Sequence, residues 1–243
     1  MCIFESMKLP VSIIIPTFNE EHFLPKLLLS LQNQSMQPKE IIVADAFSVD
    51  KTKAIAKTFG CKITSGGLPA KARNNGVKRA TQPIFLFLDA DVVLPPHFLE
   101  KTVKEMTDRK LDIASCFVSP RSNLKIDKFL HQFANQYMRL TQKFHPHMPG
   151  LCIFVKKDIH FKIGGFDESL VLAEDHDYVS RAKKVGKFSY LRSYKIPVSV
   201  RRLTKDGRLK IALKYIAIEL HLIFIGKIRK NIFNYKFGHF SKI

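Results

Sequence analysis

Ile84-Phe85-Leu86-Phe87-Leu88 runs without a polar interruption and ends directly in Asp89-Ala90-Asp91. An unbroken run of large apolar residues suits a strand buried on both faces, as inside a mostly parallel sheet covered by helices. Two carboxylates at i and i+2 after such a strand leave the pleat where the chain turns. They can then converge on one hard divalent cation, which prefers oxygen ligands and keeps open positions for phosphate oxygens. An aspartate that caps the helix opening near Pro95, or shapes a turn, is the plainer alternative. Position at the tip of the most hydrophobic strand favours the cation.

Working outward, short apolar runs alternate with amphipathic segments, the pattern of a sheet flanked by helices. Val11-Ser12-Ile13-Ile14-Ile15 reads as a buried strand stopped at Pro16. Glu20–Gln34 follows as a helix with Leu24, Leu27, Leu28 and Leu31 on one face. Glu40–Asp45 is a second strand and Asp50–Phe59 a second helix; Pro69 opens another, to about Ala80. Pro95 and Pro96 open a helix through about Arg109, Ile113–Val118 is a further strand, and Lys125–Phe144 suits a helix. The Pro- and His-rich His145–Gly150 reads as a loop. In an open α/β sheet, ligands bind at the carboxyl ends of the strands. Thr17/Asn19/Glu20, Asp45 and Asp89/Asp91 all fall at such ends.

The order and spacing of further motifs resemble the family 2 glycosyltransferases of GT-A fold. Their opening P-x-[YF]-N-E appears as Pro16-Thr17-Phe18-Asn19-Glu20, and their second-strand pattern as Glu40-Ile41-Ile42-Val43-Ala44-Asp45 through Asp50 and Thr52. Their A-R-N-x-G matches Ala72-Arg73-Asn74-Asn75-Gly76, and their G-G-F-D-E matches Gly164–Glu168. Their E-D-x-D-x-x-x-R matches Glu174-Asp175-His176-Asp177 through Arg181. The match spans Val11 to about Gly186. It implies a single Rossmann-like, mostly parallel sheet in a catalytic domain over residues 1–200, with a basic and apolar helical appendage over 201–243.

The resemblance also implies roles. Thr17, Glu20 and Asp45 would line the nucleoside pocket, with Asp45 on the base, and Arg73 would lie near base or diphosphate. Asp89 would contact ribose or metal. Asp91 would hold Mg²⁺ or Mn²⁺ against the diphosphate, and Asp175 would be the general base of an inverting transfer. The donor would be a nucleotide-diphosphate sugar and the acceptor a saccharide or lipid-linked hydroxyl, in cell-surface glycan or glycolipid synthesis. Ala46 and Phe47 stand where the family often has Asp and Gly, which leaves Asp45 without its usual neighbour; Phe47 reads as a core residue rather than a stacking platform.

A cation at Asp91 stabilises negative charge on a departing diphosphate, and a carboxylate opposite takes the acceptor's proton. Val171-Leu172-Ala173 offers Asp175 an apolar surround. Acids at a helix start also suit the dipole, which accounts for Asp177; Arg181 reads as the partner of a nearby acid. His145-x-His147, with no local Cys or carboxylate, is weak as a metal site and reads as a loop near the acceptor mouth. His176 is orientational or incidental. Gly66-Gly67 and Gly164-Gly165 form no phosphate-binding motif and read as turn glycines, which argues against dinucleotide and P-loop enzymes.

The formal charge of +19 points to an anionic partner. It is unevenly spread: from Ser199 onward eleven Lys and Arg face only Asp206 and Glu219. Ile211–Ile225 is apolar but broken by Lys214, Glu219 and His221, short for a span of about 20 residues. Phe233, Tyr235, Phe237 and Phe240 interleave with the basic residues that follow. Such a segment either lies in an anionic membrane interface or docks on the catalytic domain. Arg201 and Arg202 are placed to clamp a donor diphosphate. Charge clustered in a tail, beside paired acids at strand ends, argues against a nucleic-acid-binding module. A nucleotidyltransferase would want a Gly- and Lys/Arg-rich loop after the first strand, and Pro16–Glu20 is none. Cys2, Cys61, Cys116 and Cys152 form no C-x-x-C and read as buried reduced thiols. The N-terminal stretch has no signal-peptide pattern, so the expected compartment is cytoplasmic, with peripheral attachment to the cytoplasmic face of a membrane as an option.

Overall fold

The structure is a computed structural model that describes residues 8–233. The chain runs β1 (Leu9–Thr17), α1 (Leu24–Gln32), β2 (Pro38–Asp45), α2 (Thr52–Thr58), β3 (Lys62–Ser65), α3 (Pro69–Val77), β4 (Ile84–Leu88) and α4 (Phe98–Asp108). It continues as β5 (Ile113–Pro120), α5 (Lys125–Thr141), β6 (Cys152–Lys156), α6 (Lys157–Lys162), α7 (Glu174–Lys183), β7 (Phe188–Val198), α8 (Arg201–Asp206) and α9 (Arg208–Phe224). The strands form one seven-stranded sheet in the order β3-β2-β1-β4-β6-β5-β7. Only β6 is reversed, lying antiparallel between β4 and β5, while the other neighbours pair in parallel.

β1 shows why the chain folds this way. Ile13 and Ile15 point to one face and join Leu24, Leu27, Leu28 and Leu31 of α1 with Phe98, Leu99 and Met106 of α4. Ile14 points to the other face, where it joins Ala70 and Val77 of α3, Ile159 of α6, and Tyr178, Val179 and Ala182 of α7. A period of two on the strand thus feeds two helical layers. Each fully buried Ile or Leu contributes about 1.5–3 kcal/mol.

Several expected boundaries moved. The first helix was expected from Glu20 but begins at Leu24. The backbone N–H groups of Asn19, Glu20 and Glu21 are instead drawn sideways to Ser48 Oγ, Thr52 Oγ1 and Asp50 Oδ2 at 2.8, 2.8 and 3.1 Å. Those bonds hold the tip of β1 against the tip of β2. The helix expected at Pro95 begins at Phe98, after His97 in a left-handed conformation.

β6 was not anticipated, and it matters most for the site. Cys152 pairs with Leu88, so the start of β6 meets the end of β4. The His145–Gly150 segment is thereby delivered to the rim that carries Asp89, whose backbone N–H donates to Leu151 O at 3.3 Å.

Of the cysteines, Cys116 and Cys152 are buried and free, and Cys61 is free but only half-buried, against expectation. Cys2 lies outside the described residues, as do Tyr235, Phe237 and Phe240. Gly164 and Gly165 adopt φ of +73° and +72°, as turn glycines do.

Candidate active site

Three parallel strands bring their carboxyl ends to one rim. Thr17 closes β1 opposite Asp45 at the end of β2. Thr17 Oγ1 donates to Asp45 Oδ1 at 3.1 Å, and Ser48 N donates to Asp45 Oδ2 at 3.0 Å. Both side chains are buried. The intervening Phe47 corrects the sequence reading: it is 77% exposed with φ +60°, not a core residue. A left-handed backbone favours glycine, so Phe47 sits there under strain.

Glu20 stands between β1 and Asp91. Its Oε2 is buried without a hydrogen-bond partner. Burial pushes its carboxyl up to about 7; Arg201 opposes this, while Asp91, Asp89 and Asp50 add to it.

Arg73 is the hub of the site. Its helix, α3, rests so closely on β1 that a Cβ on Gly76 would come within 2.3 Å of Ile14 Cγ2. One turn earlier, Arg73 is 3% exposed. Its guanidinium donates to Glu174 Oε1 at 2.6 Å, to Asp89 Oδ1 at 3.3 Å and to Gly150 O at 3.1 Å. The guanidinium also lies over the Phe166 ring, 5.3 Å from its centroid. Glu174 opens α7 inside the protein, where burial pushes its carboxyl up and Arg73 pulls it down. Asp89 is pushed up to about 6, by burial first, opposed by Arg73 and reinforced by Asp91, Glu174 and Asp175. Its side chain keeps 43% of its surface open, so water in the cleft tempers that push.

Asp175 follows Glu174 and faces the same point. A Cβ on Gly150 would lie 2.8 Å from Asp175 Oδ2 and 3.2 Å from Arg73 Nη2, so only a glycine fits between them. Asp175 Oδ1 accepts from His176 N at 2.9 Å. The apolar surround expected from Val171, Leu172 and Ala173 is not what Asp175 meets; those residues are half-buried, and charged and polar groups flank the carboxylate.

On the far side, Arg201 opens α8 and reaches Asp91 Oδ2 at 3.0 Å, its guanidinium 4.1 Å from the Phe23 ring centroid. Arg202 bonds to the Tyr215 hydroxyl on α9, which also feels the charge of Asp175. Arg181 pairs with Asp177 at 2.7 Å, as the sequence suggested.

The structure thus gathers Thr17, Glu20, Asp45, Arg73, Asp89, Asp91, Asp175 and Arg201 around one rim, while Arg202, on α8, is held by Tyr215 of α9. Glu174 and Gly150 are the members that sequence reasoning passed over. Glu174, within the E-D-x-D motif but given no role by the sequence, is the principal partner of Arg73. Asp89 and Asp91, two carboxylates at one strand tip with the buried, unpartnered Glu20 Oε2 in electrostatic reach, offer the all-oxygen donor chemistry that suits Mg²⁺ or Mn²⁺.

The model of glycosyl transferase family 2 matches residues 12–165. The chain belongs to that family. Its mostly parallel sheet with one reversed strand, flanked by helices, is the GT-A fold. It is 26% identical over 190 residues to Glycosyltransferase AglE of Haloferax volcanii, covering 72% of this chain and 62% of that protein. Among solved structures it is similar to the mannosyltransferase PcManGT of Pyrobaculum calidifontis in complex with GDP-Man and Mn²⁺. There the TM-score is 0.67 at 20% identity, covering 88% of this chain and 65% of that one. A further likeness is to TarS 1-349 of S. aureus with UDP-GlcNAc, at TM-score 0.65 and 22% identity, covering 88% and 67%. The chain spans about three fifths of the length of AglE.

Proposed function

We propose that the chain transfers a sugar from a nucleotide-diphosphate donor to an acceptor hydroxyl with inversion at the anomeric carbon. What carries the proposal is that Asp175 and Arg73 converge on Gly150 while Arg73 also bonds Asp89, at the rim that also holds Asp45 and Asp91. Thr17, Glu20 and Asp45 take the nucleoside end of the donor, with Asp45 accepting from the base. Asp91, with Asp89, holds Mg²⁺ or Mn²⁺, which when bound supplies Lewis-acid stabilisation of the departing diphosphate. Arg201 adds fixed positive charge on the same side, and Arg202 moves in to join it.

Asp175 Oδ2 takes the proton of the acceptor hydroxyl. The acceptor oxygen bonds to the anomeric carbon as the bond from that carbon to the phosphate oxygen breaks, and the electron pair leaves with the diphosphate. Oδ1 is held by His176 N, which leaves Oδ2 for the proton. A positioned base of this kind contributes about 10²–10⁴-fold in rate.

Residues 1–200 form the catalytic unit in this reading, and 201–243 an appendage that binds a cytoplasmic, anionic membrane surface, consistent with a lipid-linked or cell-surface acceptor. Support comes from two stripes of exposed apolar side chains, Leu213, Ile216, Leu220 and Ile223 on α9 and Phe129 and Phe133 on α5, beside Lys210, Lys214 and Lys230. Ile211 and Ile218 are buried beneath, so α9 also docks. Among the described residues no helix is long and apolar enough to cross a membrane.

The test is a thermal-shift screen of donors with Mn²⁺, headed by UDP-GlcNAc and GDP-Man, followed by transfer assays. One donor class raises the melting midpoint, and Asp175→Asn lowers kcat by about 10²–10⁴-fold without altering that shift. A flat response to every nucleotide, or an Asp175→Asn enzyme of full activity, overturns the reading.

A further inference from the structure

His145 and His147 lacked a third ligand in the sequence. The fold supplies one from 72 residues downstream: Glu219 on α9. One ligand atom from each of His145, His147 and Glu219 lies within 4.8 Å of the other two. His145 Nε2 is 3.5 Å and His147 Nε2 3.2 Å from Glu219 Oε1. Ligands of a tetrahedral zinc with bonds of 2.0–2.1 Å stand about 3.3 Å apart. Two of the three edges are therefore already at coordination length. The third closes by rotation of His145, whose side chain is 43% exposed.

A second, independent feature points to a ligand. His147 is 3% exposed, yet its Nε2 is buried with no hydrogen-bond partner. The Glu219 oxygen is near in distance but off the line of an N–H bond. Its other nitrogen, Nδ1, is taken by His176 Nδ1 at 3.0 Å. When His147 donates that Nδ1 proton, Nε2 presents a lone pair toward a carboxylate oxygen, and two acceptors face one another. A cation between them relieves that opposition. The surroundings also resemble the outer shell of a metal site: Tyr137 OH donates to Glu219 Oε1 at 2.9 Å, and Tyr190 OH donates to His147 O.

We infer that His145 Nε2, His147 Nε2 and a Glu219 carboxylate oxygen form a second metal site, for Zn²⁺ or a similar borderline transition ion, distinct from the carboxylate site at Asp89 and Asp91. Two imidazoles and one carboxylate select Zn²⁺ over Mg²⁺, whereas the aspartates at the strand tip select the harder ions. One position remains for water. The site ties α9 to the loop that ends in Gly150, and through His147 it reaches His176, the residue next to Asp175.

The experiment is titration of the full chain with Zn²⁺ in excess Mg²⁺, by calorimetry and by chelator competition, with Co²⁺ as a spectroscopic probe. It needs no sugar donor and no turnover, so its failure is separable from failure of the transferase reading. One equivalent of Zn²⁺ binds, and Co²⁺ gives the visible absorption of a tetrahedral centre. Asp91→Asn leaves both unchanged. His176→Ala weakens binding about 10–100-fold, the usual effect of losing an outer-shell partner, and His145→Ala and Glu219→Gln weaken it more. Circular dichroism checks the fold of each variant; His145→Ala, at a partly exposed position, is the one least disturbing to it. Absence of stoichiometric Zn²⁺ binding, or binding that survives both His145→Ala and Glu219→Gln, overturns the inference.

Discussion

Gly76→Ala tests how the core positions the catalytic rim. The added Cβ would stand 2.3 Å from Ile14 Cγ2, in β1, where Ile14 has no exposed surface. Ordinary carbon contact is about 3.5–4.0 Å, so α3 must retreat by about 1.2 Å or more, or Ile14 must leave its rotamer. Overpacking of this kind costs about 1–3 kcal/mol. Alanine's better helix propensity offsets about 1 kcal/mol of that, and the tightness of this contact puts the net loss at about 1–2 kcal/mol. Urea titration measures it. Because Arg73 sits one turn before Gly76, the same displacement loosens its bonds to Glu174 and Asp89, and transfer activity falls with stability. The decisive control is Ile14→Ala, which alone costs about 2–5 kcal/mol but removes the atom that collides. In the double variant the Gly76→Ala cost disappears, leaving a coupling of about 1–3 kcal/mol. Simple additivity of the two changes would refute the claim that direct contact with Ile14 excludes a side chain at position 76.

Three further outcomes follow from the charges at the rim. Arg73→Met strands the buried Glu174 carboxylate and costs about 3–5 kcal/mol in denaturant titration; since burial raises the Glu174 pKa, the loss shrinks as pH falls and the acid protonates, and a pH-independent loss contradicts the assignment. Glu20 titrates near 7 when folded against 4.5 as its ordinary value, so the folded state holds its proton more tightly. Its contribution to stability is complete below about pH 4.5 and is lost as pH rises through about 7. Glu20→Gln flattens that slope, and an unchanged pH profile of stability counts against it. Arg201→Ala frees Asp91 Oδ2, so Mn²⁺ alone binds more tightly, read by electron paramagnetic resonance, while turnover with donor decreases; weaker Mn²⁺ binding is the refuting result.

β1, β2 and β4 were readable because each is an apolar run ended by a polar tip, and those tips meet at one rim. β3, Lys62-Ile63-Thr64-Ser65, has too little apolar pattern to stand out. β6 is five residues long behind a proline-rich loop, and nothing local in a strand announces that it runs backward. Arg73 was read as a group near the ligand; its burial against Glu174, 101 residues away, depends on tertiary packing. The same separation hid Glu219 from the two histidines. Phe47 misled for another reason: an aromatic residue ordinarily belongs inside, and only the backbone at φ +60° reveals a position shaped for glycine. The tail was legible as basic and apolar, and α9 proves to be buried on one side and bare on another.

The reversed β6 splits the rim into two halves that reach it from opposite directions. In the proposed reading the nucleoside end of the donor meets strand endings before residue 92, whereas the segment from Arg121 to Leu151 arrives from the opposite direction and bonds that half at Arg73 and Asp89. An exchange of that segment between relatives, spliced at Pro120 and Cys152 with Gly150 retained, therefore offers a route to new acceptors that leaves the donor preference intact.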